Sequence, residues 1–251
     1  MPDPGEIHYI RYQLGPQLYR STITEELRLE MLEKGLGSKI DWRNNLAGAI
    51  EDEKSYTIED RNAIWNTLKY YVESYIDCKR KSYGYEVPEL RPYKTVLKSL
   101  WINNSKPGEY NPLHTHSEDL SFVIYLDVSK EIAEEKYIHT SLPPGSIEFV
   151  DGLDTSMFRN PNDLTDVRSY LVPVRNVSHK PSTGEIFIFP AYLHHQVQAF
   201  FTPDAKRISV SGNIKFLLDD DIKEKVKKES EPSIENDEVN WKLYKWQEVA
   251  N

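Results

Sequence analysis

The sequence predicts a mainly β protein with flanking helices, built as an antiparallel sandwich or barrel. Three observations lead there. From Lys94 onward, β-rich runs follow one another with turn residues between them and no helical pattern to carry a crossover. Before Lys94 the texture is mostly helical, with capping signals at two places. Finally, His114-Thr115-His116 is followed much later by His194-His195, and two histidines two apart share a face only on extended chain.

The elements follow in order. Thr24 is placed to cap a short helix with Leu27, Met31 and Leu32 on its buried side and Gly35 or Gly37 at its end. Thr57-Ile58-Glu59-Asp60 has the form of a capping box with aspartate in place of glutamate. It opens a longer helix in which Ile64, Leu68, Tyr71, Val72 and Tyr75 recur at helical spacing until Gly84, a stripe suited to packing on a sheet. Strands are expected at Thr95–Ile102, Leu120–Val128, Ile147–Val150, Tyr170–Val174, Glu185–Phe189, Gln196–Phe201 and Arg207–Leu217. Pro107-Gly108 makes a turn from which Glu109 to His116 can run extended. The long polar stretch 151–183 is expected to be an insertion over the mouth of the barrel, where substrate lids are often found. After it come a helix at Asp219–Lys228, a linker at Glu229–Asn240 and an aromatic segment, Trp241, Tyr244 and Trp246, expected to dock back on the body. The organisation is therefore a helical support region over 1–93, a β core over 94–218 and a charged extension over 219–251, together one structural domain.

Bulk properties narrow the function. With 251 residues the chain is long enough to bury a sizeable core. No run of about eighteen apolar residues is present, which predicts no membrane span. The first residues, Met1-Pro2-Asp3-Pro4-Gly5, lack the basic and apolar regions of a signal peptide. Cys78 is the single cysteine, so an internal disulfide is excluded and a reducing, cytoplasmic setting is the expectation. The net charge of −9 argues against nucleic acid as a main partner, which wants a basic face. A homodimer is compatible with all of this.

The chemistry rests on the histidines. His114 and His116 at i and i+2 can present two imidazoles to one point, and a third from a distant strand closes a three-ligand site with open positions. Such a site suits a divalent transition metal, above all non-haem iron. Taken singly, each histidine is more readily a surface or satisfied core residue than a ligand; the combination carries the reading. Gly108 lies six residues before His114, and Gly184 lies six before Pro190 and eleven before His195, a spacing that echoes the two metal motifs of the double-stranded β-helix, the cupin-like jelly roll. Strand alternation puts Leu193, His195 and Val197 on one face and turns His194 away. His116-Ser117-Glu118 also reads as the HxE half of a two-histidine, one-carboxylate triad, but Glu118 sits where the chain should already turn toward the next strand. Arg207 and Ser209 share a face twelve residues past His195, where a guanidinium fork and a hydroxyl can hold a carboxylate. Alone this pair could be a strand arginine facing a surface acid. Tyr125, between Leu120 and Val128, could donate to the same carboxylate or simply fill the core.

Trp101-Ile-Asn103, Gly108-Glu-Tyr110, His114-Thr-His116, Leu120-Ser-Phe-Val-Ile-Tyr125, Gly184 with Phe189-Pro190, His195 and Arg207-Ile-Ser-Val-Ser-Gly-Asn213 together resemble the 2-oxoglutarate- and iron(II)-dependent oxygenases common in bacteria and in cyanophages. Asn45-Leu-Ala-Gly48-Ala-Ile50 followed by Glu53 is similar to that family's N-terminal signature, so the likeness spans about residues 40 to 217. The resemblance implies a double-stranded β-helix and an Fe(II)- and 2-oxoglutarate-dependent dioxygenase that hydroxylates a C–H bond of a small molecule or peptide side chain. It implies His114, His116 and His195 as metal ligands, Arg207, Ser209 and Tyr125 on the distal carboxylate of 2-oxoglutarate, and dioxygen as oxidant, with succinate formed by oxidative decarboxylation. Enzymes of the wider superfamily place an acid where this chain has His116, so the implied site is one charge more positive. The rival reading is a cupin-type metalloenzyme with three histidines and no 2-oxoglutarate, for which Arg207-x-Ser209 has no purpose.

Overall fold

The computed structural model describes residues 15–82, 89–136, 143–151 and 176–218. The described residues of 1–90 and 95–216 form one compact unit; in a second, the described residues are 91–94 and 217–218. The described chain runs β1 (Tyr19–Thr22), α1 (Glu25–Gly37), β2 (Ile40–Asp41), β3 (Glu53–Ser55), α2 (Ile58–Ser82), β4 (Tyr93–Ser105), β5 (Asn111–His114), β6 (Leu120–Val128), α3 (Lys130–Glu134), β7 (Ile147–Val150), β8 (Asn176–His179), β9 (Glu185–Pro190), β10 (His194–Val197) and β11 (Arg207–Leu218). A seven-stranded sheet in the order β1-β9-β6-β11-β4-β3-β2 faces a four-stranded sheet in the order β5-β10-β7-β8. The pairs β1–β9, β9–β6, β6–β11, β4–β3, β3–β2, β5–β10, β10–β7 and β7–β8 are antiparallel. This is the double-stranded β-helix.

Both helices start where their caps require. Thr24 Oγ1 accepts from Leu27 N at 3.4 Å, and Thr57 Oγ1 accepts from Asp60 N at 3.1 Å while donating to the Asp60 carboxylate at 2.8 Å. Each bond satisfies an orphan donor of the first turn. Leu27 and Met31 of α1 and Ile64, Leu68, Val72 and Tyr75 of α2 then pack on one face of the large sheet, against Leu100, Ile102, Phe122, Ile124, Ile186, Ile188, Val210 and Ile214. The alternate residues of the same strands point the other way. Val123, Tyr125, Phe187 and Phe189 meet Ile147, Phe149 and Leu193 between the sheets. Period-2 alternation thus divides one set of strands between a helix-side core and an inter-sheet core.

The sequence expectations are corrected in several places. The N-terminal region adds three short strands, β1, β2 and β3, to the large sheet, and β3 pairs directly with β4. Residues 176–179, inside the stretch expected to be an insertion, are β8 of the small sheet, paired with β7. The strand expected at Gln196–Phe201 is instead His194–Val197, because Phe200 leaves the ladder and is buried with Ile132 and Ala205. Tyr170–Val174, Gly84 and the elements expected beyond 218 lie outside the described residues.

Two glycines fix the turns that lead into the site strands. Gly108 (φ +88°) and Gly184 (φ +89°) occupy the left-handed region, where a Cβ is strained. The Gly108 amide donates to Phe200 O and the Gly184 amide to Tyr125 O, each at 2.7 Å. A third glycine sets packing rather than a turn. On β11, a Cβ at Gly212 would stand 2.5 Å from Phe122 Cζ and 2.6 Å from the Ser99 carbonyl oxygen. The backbone oxygen cannot rotate aside, so Gly212→Ala is expected to cost on the order of 1–3 kcal/mol, as overpacking of a core does. A urea-midpoint comparison checks this; an unchanged midpoint contradicts it.

Candidate metal and cosubstrate site

His114 ends β5 and lies directly opposite His195 on β10. His116 follows two residues later, its amide bonded to Ala191 O at 2.9 Å. The ring centroids are 4.2 Å apart for His114 and His195, 5.1 Å for His114 and His116, and 5.2 Å for His116 and His195. One ring nitrogen from each falls within 4.8 Å of the others, so a single ion can touch all three. His114 Nδ1 meets Pro112 O at 2.7 Å and His195 Nδ1 meets Leu193 O at 3.0 Å. A carbonyl accepts, so these Nδ1 atoms carry the protons and each Nε2 keeps a free lone pair for a metal. Burial, followed by the neighbouring histidines, pushes His195 down to about 3 and His116 down to about 4, and burial lowers His114 as well. All three are therefore neutral near pH 7, the state a ligand needs. Aromatic rings hold them in place: Phe189 lies 4.8 Å from His195, and Trp101 lies 5.9 Å from His116.

The other expected residues fall on both sides of that cluster. His194 is exposed, as alternation predicted, and is not among the grouped ligands. Glu118 is also outside the group; its carboxylate is 3.6 Å from Lys215 Nζ. The HxE alternative therefore lacks the geometry that the three imidazoles have. Arg207 is fully buried. Its Nη1 donates to Gly145 O and Gln198 O, both at 3.1 Å, and its guanidinium lies 5.4 Å from the Phe200 ring centroid. No carboxylate among the described residues makes an ion pair with it, although a buried guanidinium stays charged. Ser209 pairs directly with Tyr125 across β11 and β6, so both face the space between the sheets. The Tyr125 hydroxyl is buried and has no hydrogen-bond partner among the described residues. A charged fork, a hydroxyl and an orphan phenol on one interior face fit an incoming carboxylate. Three neutral imidazoles with free Nε2 atoms fit a divalent iron.

In the sequence, Asn103 and Glu53 are only letters of a motif. The structure makes them one row with the site: Asn103 Nδ2 donates to Ser209 Oγ at 3.4 Å, and Glu53 pairs directly with Asn103. Burial, then the nearby Glu109 charge, raises the Glu53 carboxyl from 4.5 to about 7. A raised folded-state value means the folded state holds its proton longer than the unfolded one. The resulting stability is full below 4.5 and is lost as pH rises through 7. Glu53→Gln has no such group to ionise. Its stability relative to the wild type is expected to climb between pH 4 and 8 by on the order of 3 kcal/mol, because each tenfold difference in proton affinity between folded and unfolded chain is about 1.4 kcal/mol. Urea melts of both proteins at the two pH values check this; a pH-independent difference contradicts it.

Fold and site together define a metal-dependent enzyme of the double-stranded β-helix class. Residues 99–213 match the family described as "Putative 2OG-Fe(II) oxygenase", the family that the sequence motifs resemble. That segment, a little under half of the chain, holds all six residues of the candidate metal and cosubstrate site. Iron(II) and 2-oxoglutarate are accordingly its cofactor and cosubstrate. Among solved structures the chain is similar to a viral collagen prolyl hydroxylase from Paramecium Bursaria Chlorella virus-1 in complex with 2OG, at 10% identity and TM-score 0.44, over 78% of this chain and 94% of that one. It is also similar to a Pseudomonas putida prolyl-4-hydroxylase, at 10% identity and TM-score 0.41, over 79% and 91%. A third is a Trichoplax adhaerens prolyl hydroxylase in complex with a hypoxia inducible factor peptide fragment, at 12% identity and TM-score 0.44, over 82% and 85%. No curated protein matches the sequence.

Proposed function

We propose that this oxygenase hydroxylates a C–H bond of a small molecule or peptide side chain, with His114, His116 and His195 holding the iron and Arg207, Ser209 and Tyr125 holding the distal carboxylate of 2-oxoglutarate. The observation that carries the assignment is a fully buried guanidinium with no carboxylate partner among the described residues, on the interior side that also gathers three neutral imidazoles. A cupin-type enzyme that dispenses with 2-oxoglutarate would bury that charge for no return, and an uncompensated buried charge is costly. When bound, iron(II) with 2-oxoglutarate supplies dioxygen activation coupled to oxidative decarboxylation. The chain's own part is positioning. Arg207 is held by two backbone carbonyls, so it meets a carboxylate with its fork already oriented. The Tyr125 proton, pushed up by burial, stays on the phenol and is available for donation. Phe149 and Phe189 set their rings against His195 and make that side of the site apolar, which favours exclusion of water.

One chain contains all six residues, so the reading needs no second copy. No helix among the described residues is long and apolar enough to cross a membrane. Cys78 is a free, exposed thiol, which fits a reducing, cytoplasmic setting. The decisive test is anaerobic addition of Fe(II) and then 2-oxoglutarate, watching for the visible charge-transfer band of the chelate, followed by oxygen and a succinate assay. A band that appears with 2-oxoglutarate and succinate that forms on oxygenation are expected. Neither appearing with a metal-loaded protein sinks the reading in favour of the cupin-type alternative.

A further inference from the structure

Glu53 has no task in the metal or cosubstrate site, yet it is one of the most deeply placed acids in the described chain. It is 2% exposed, and among the described residues neither carboxylate oxygen has a hydrogen-bond partner. Its direct cross-strand partner, Asn103, is 3% exposed and leaves Oδ1 unpartnered as well. Residues directly opposite in a ladder share a face. Asn103 shares its face with Trp101, two residues earlier, whose ring lies against His116. Glu53 therefore lies on the same sheet face as Asn103 and Trp101, and it also borders a cavity lined by Lys39, Asp41, Arg43 and Lys54. Gly48 borders that spot: a Cβ there would strike Asn111 Oδ1 and stand 3.1 Å from Glu53 Oε1. Arg43, whose charge acts on Glu53, has its guanidinium engaged by Asp41 at 2.7 Å.

We propose that Glu53, with Asn103 Oδ1 beside it, is the docking point for a cationic nitrogen group, a primary amine or guanidinium, on the primary substrate. Both Glu53 oxygens and Asn103 Oδ1, on directly paired residues, are unfilled among the described residues, and buried acceptors left unmade are costly. An ammonium brings three donors and a guanidinium five, and neither accepts. A charge-assisted contact in a dry site also ionises the acid that burial holds partly neutral. An acidic or purely apolar substrate end would leave all three oxygens unsatisfied or repelled. Strand rise puts Asn103 about 7 Å beyond Trp101, so the docked group sits several bonds from the carbon presented at the iron. The inference rests on the oxygenase reading of the site and adds the substrate class to it.

The test uses the full chain, anaerobic, with Fe(II) bound. 2-Oxoglutarate affinity is measured first by calorimetry. Blocked arginine and blocked lysine (N-acetyl amides) are then titrated in, alongside blocked citrulline and blocked norleucine as neutral counterparts. The basic probes are expected to bind at least tenfold tighter than the neutral ones. Glu53→Gln, matched to the wild type in size and checked for an intact melt, is expected to lose at least tenfold for the basic probes while 2-oxoglutarate affinity stays the same. Neutral probes binding as tightly as basic ones, no basic probe binding at all, or Glu53→Gln binding them like the wild type each overturns the inference. The neutral-probe comparison needs no variant. Failure of 2-oxoglutarate itself to bind overturns the oxygenase reading and the inference together. Binding of 2-oxoglutarate without the basic probes overturns the inference alone.

Discussion

His195→Ala is expected to abolish stoichiometric metal binding while the protein stays folded. Of the three proposed ligands His195 is the buried one, and it lies directly opposite His114 across the β5–β10 ladder. Its loss removes one of three imidazoles and opens a hole where the other two must converge. Altering residues that merely orient a ligand costs about 10–100-fold in metal affinity, so deleting a ligand should exceed that. His114→Ala and His116→Ala should behave alike. Glu118→Ala should retain iron, because that carboxylate lies beside Lys215 instead. Iron content after dialysis against a weak chelator, with melts as a control, decides the matter. Full iron in His116→Ala together with loss in Glu118→Ala would falsify the three-histidine assignment.

Arg207→Ala is expected to weaken 2-oxoglutarate binding by tens-fold or more, with iron binding nearly unchanged. A bidentate, charge-assisted contact in a water-poor site contributes on the order of 1.5–3 kcal/mol, which is a factor of about ten to a hundred or more. Truncation also strips the donor from Gly145 O and Gln198 O, so some loss of stability accompanies it. Arg207→Lys should rescue in part, since an ammonium restores charge but not the planar fork. The wild type should bind 2-oxoglutarate better than pyruvate, which lacks the distal carboxylate. Titration of both into the anaerobic iron form is the check, and equal affinities would remove the role given to Arg207.

By itself the sequence determined the fold class, the two long helices and which three histidines come together. Each of these is local. Thr24 and Thr57 announce helix starts because caps act within three residues, and His114-x-His116 announces a shared face because strand alternation acts within two. The same alternation separated His195 from His194. Gly108 and Gly184 were legible because a left-handed turn admits little else.

Only the tertiary structure decided what depends on chains far apart in sequence. Tyr19–Thr22 and Glu53–Ser55 are too short and too polar to show a period, and they become strands because β9 and β4 offer them an edge. On paper Glu118 is the second choice to His116, because the chain should already turn there; the ion pair between Glu118 and Lys215, 97 residues apart, adds a tertiary reason. Arg207 could have faced any of 40 acids in the chain, and it is burial against Gly145, Gln198 and Phe200 that leaves it without one among those described. Glu53 carried no signal beyond its letter in a motif. Its meaning came from the partner set across the ladder, where Asn103, Ser209 and Tyr125 extend one polar row into the space between the sheets. Register between distant strands is a property of the assembled core, which no window of the sequence contains.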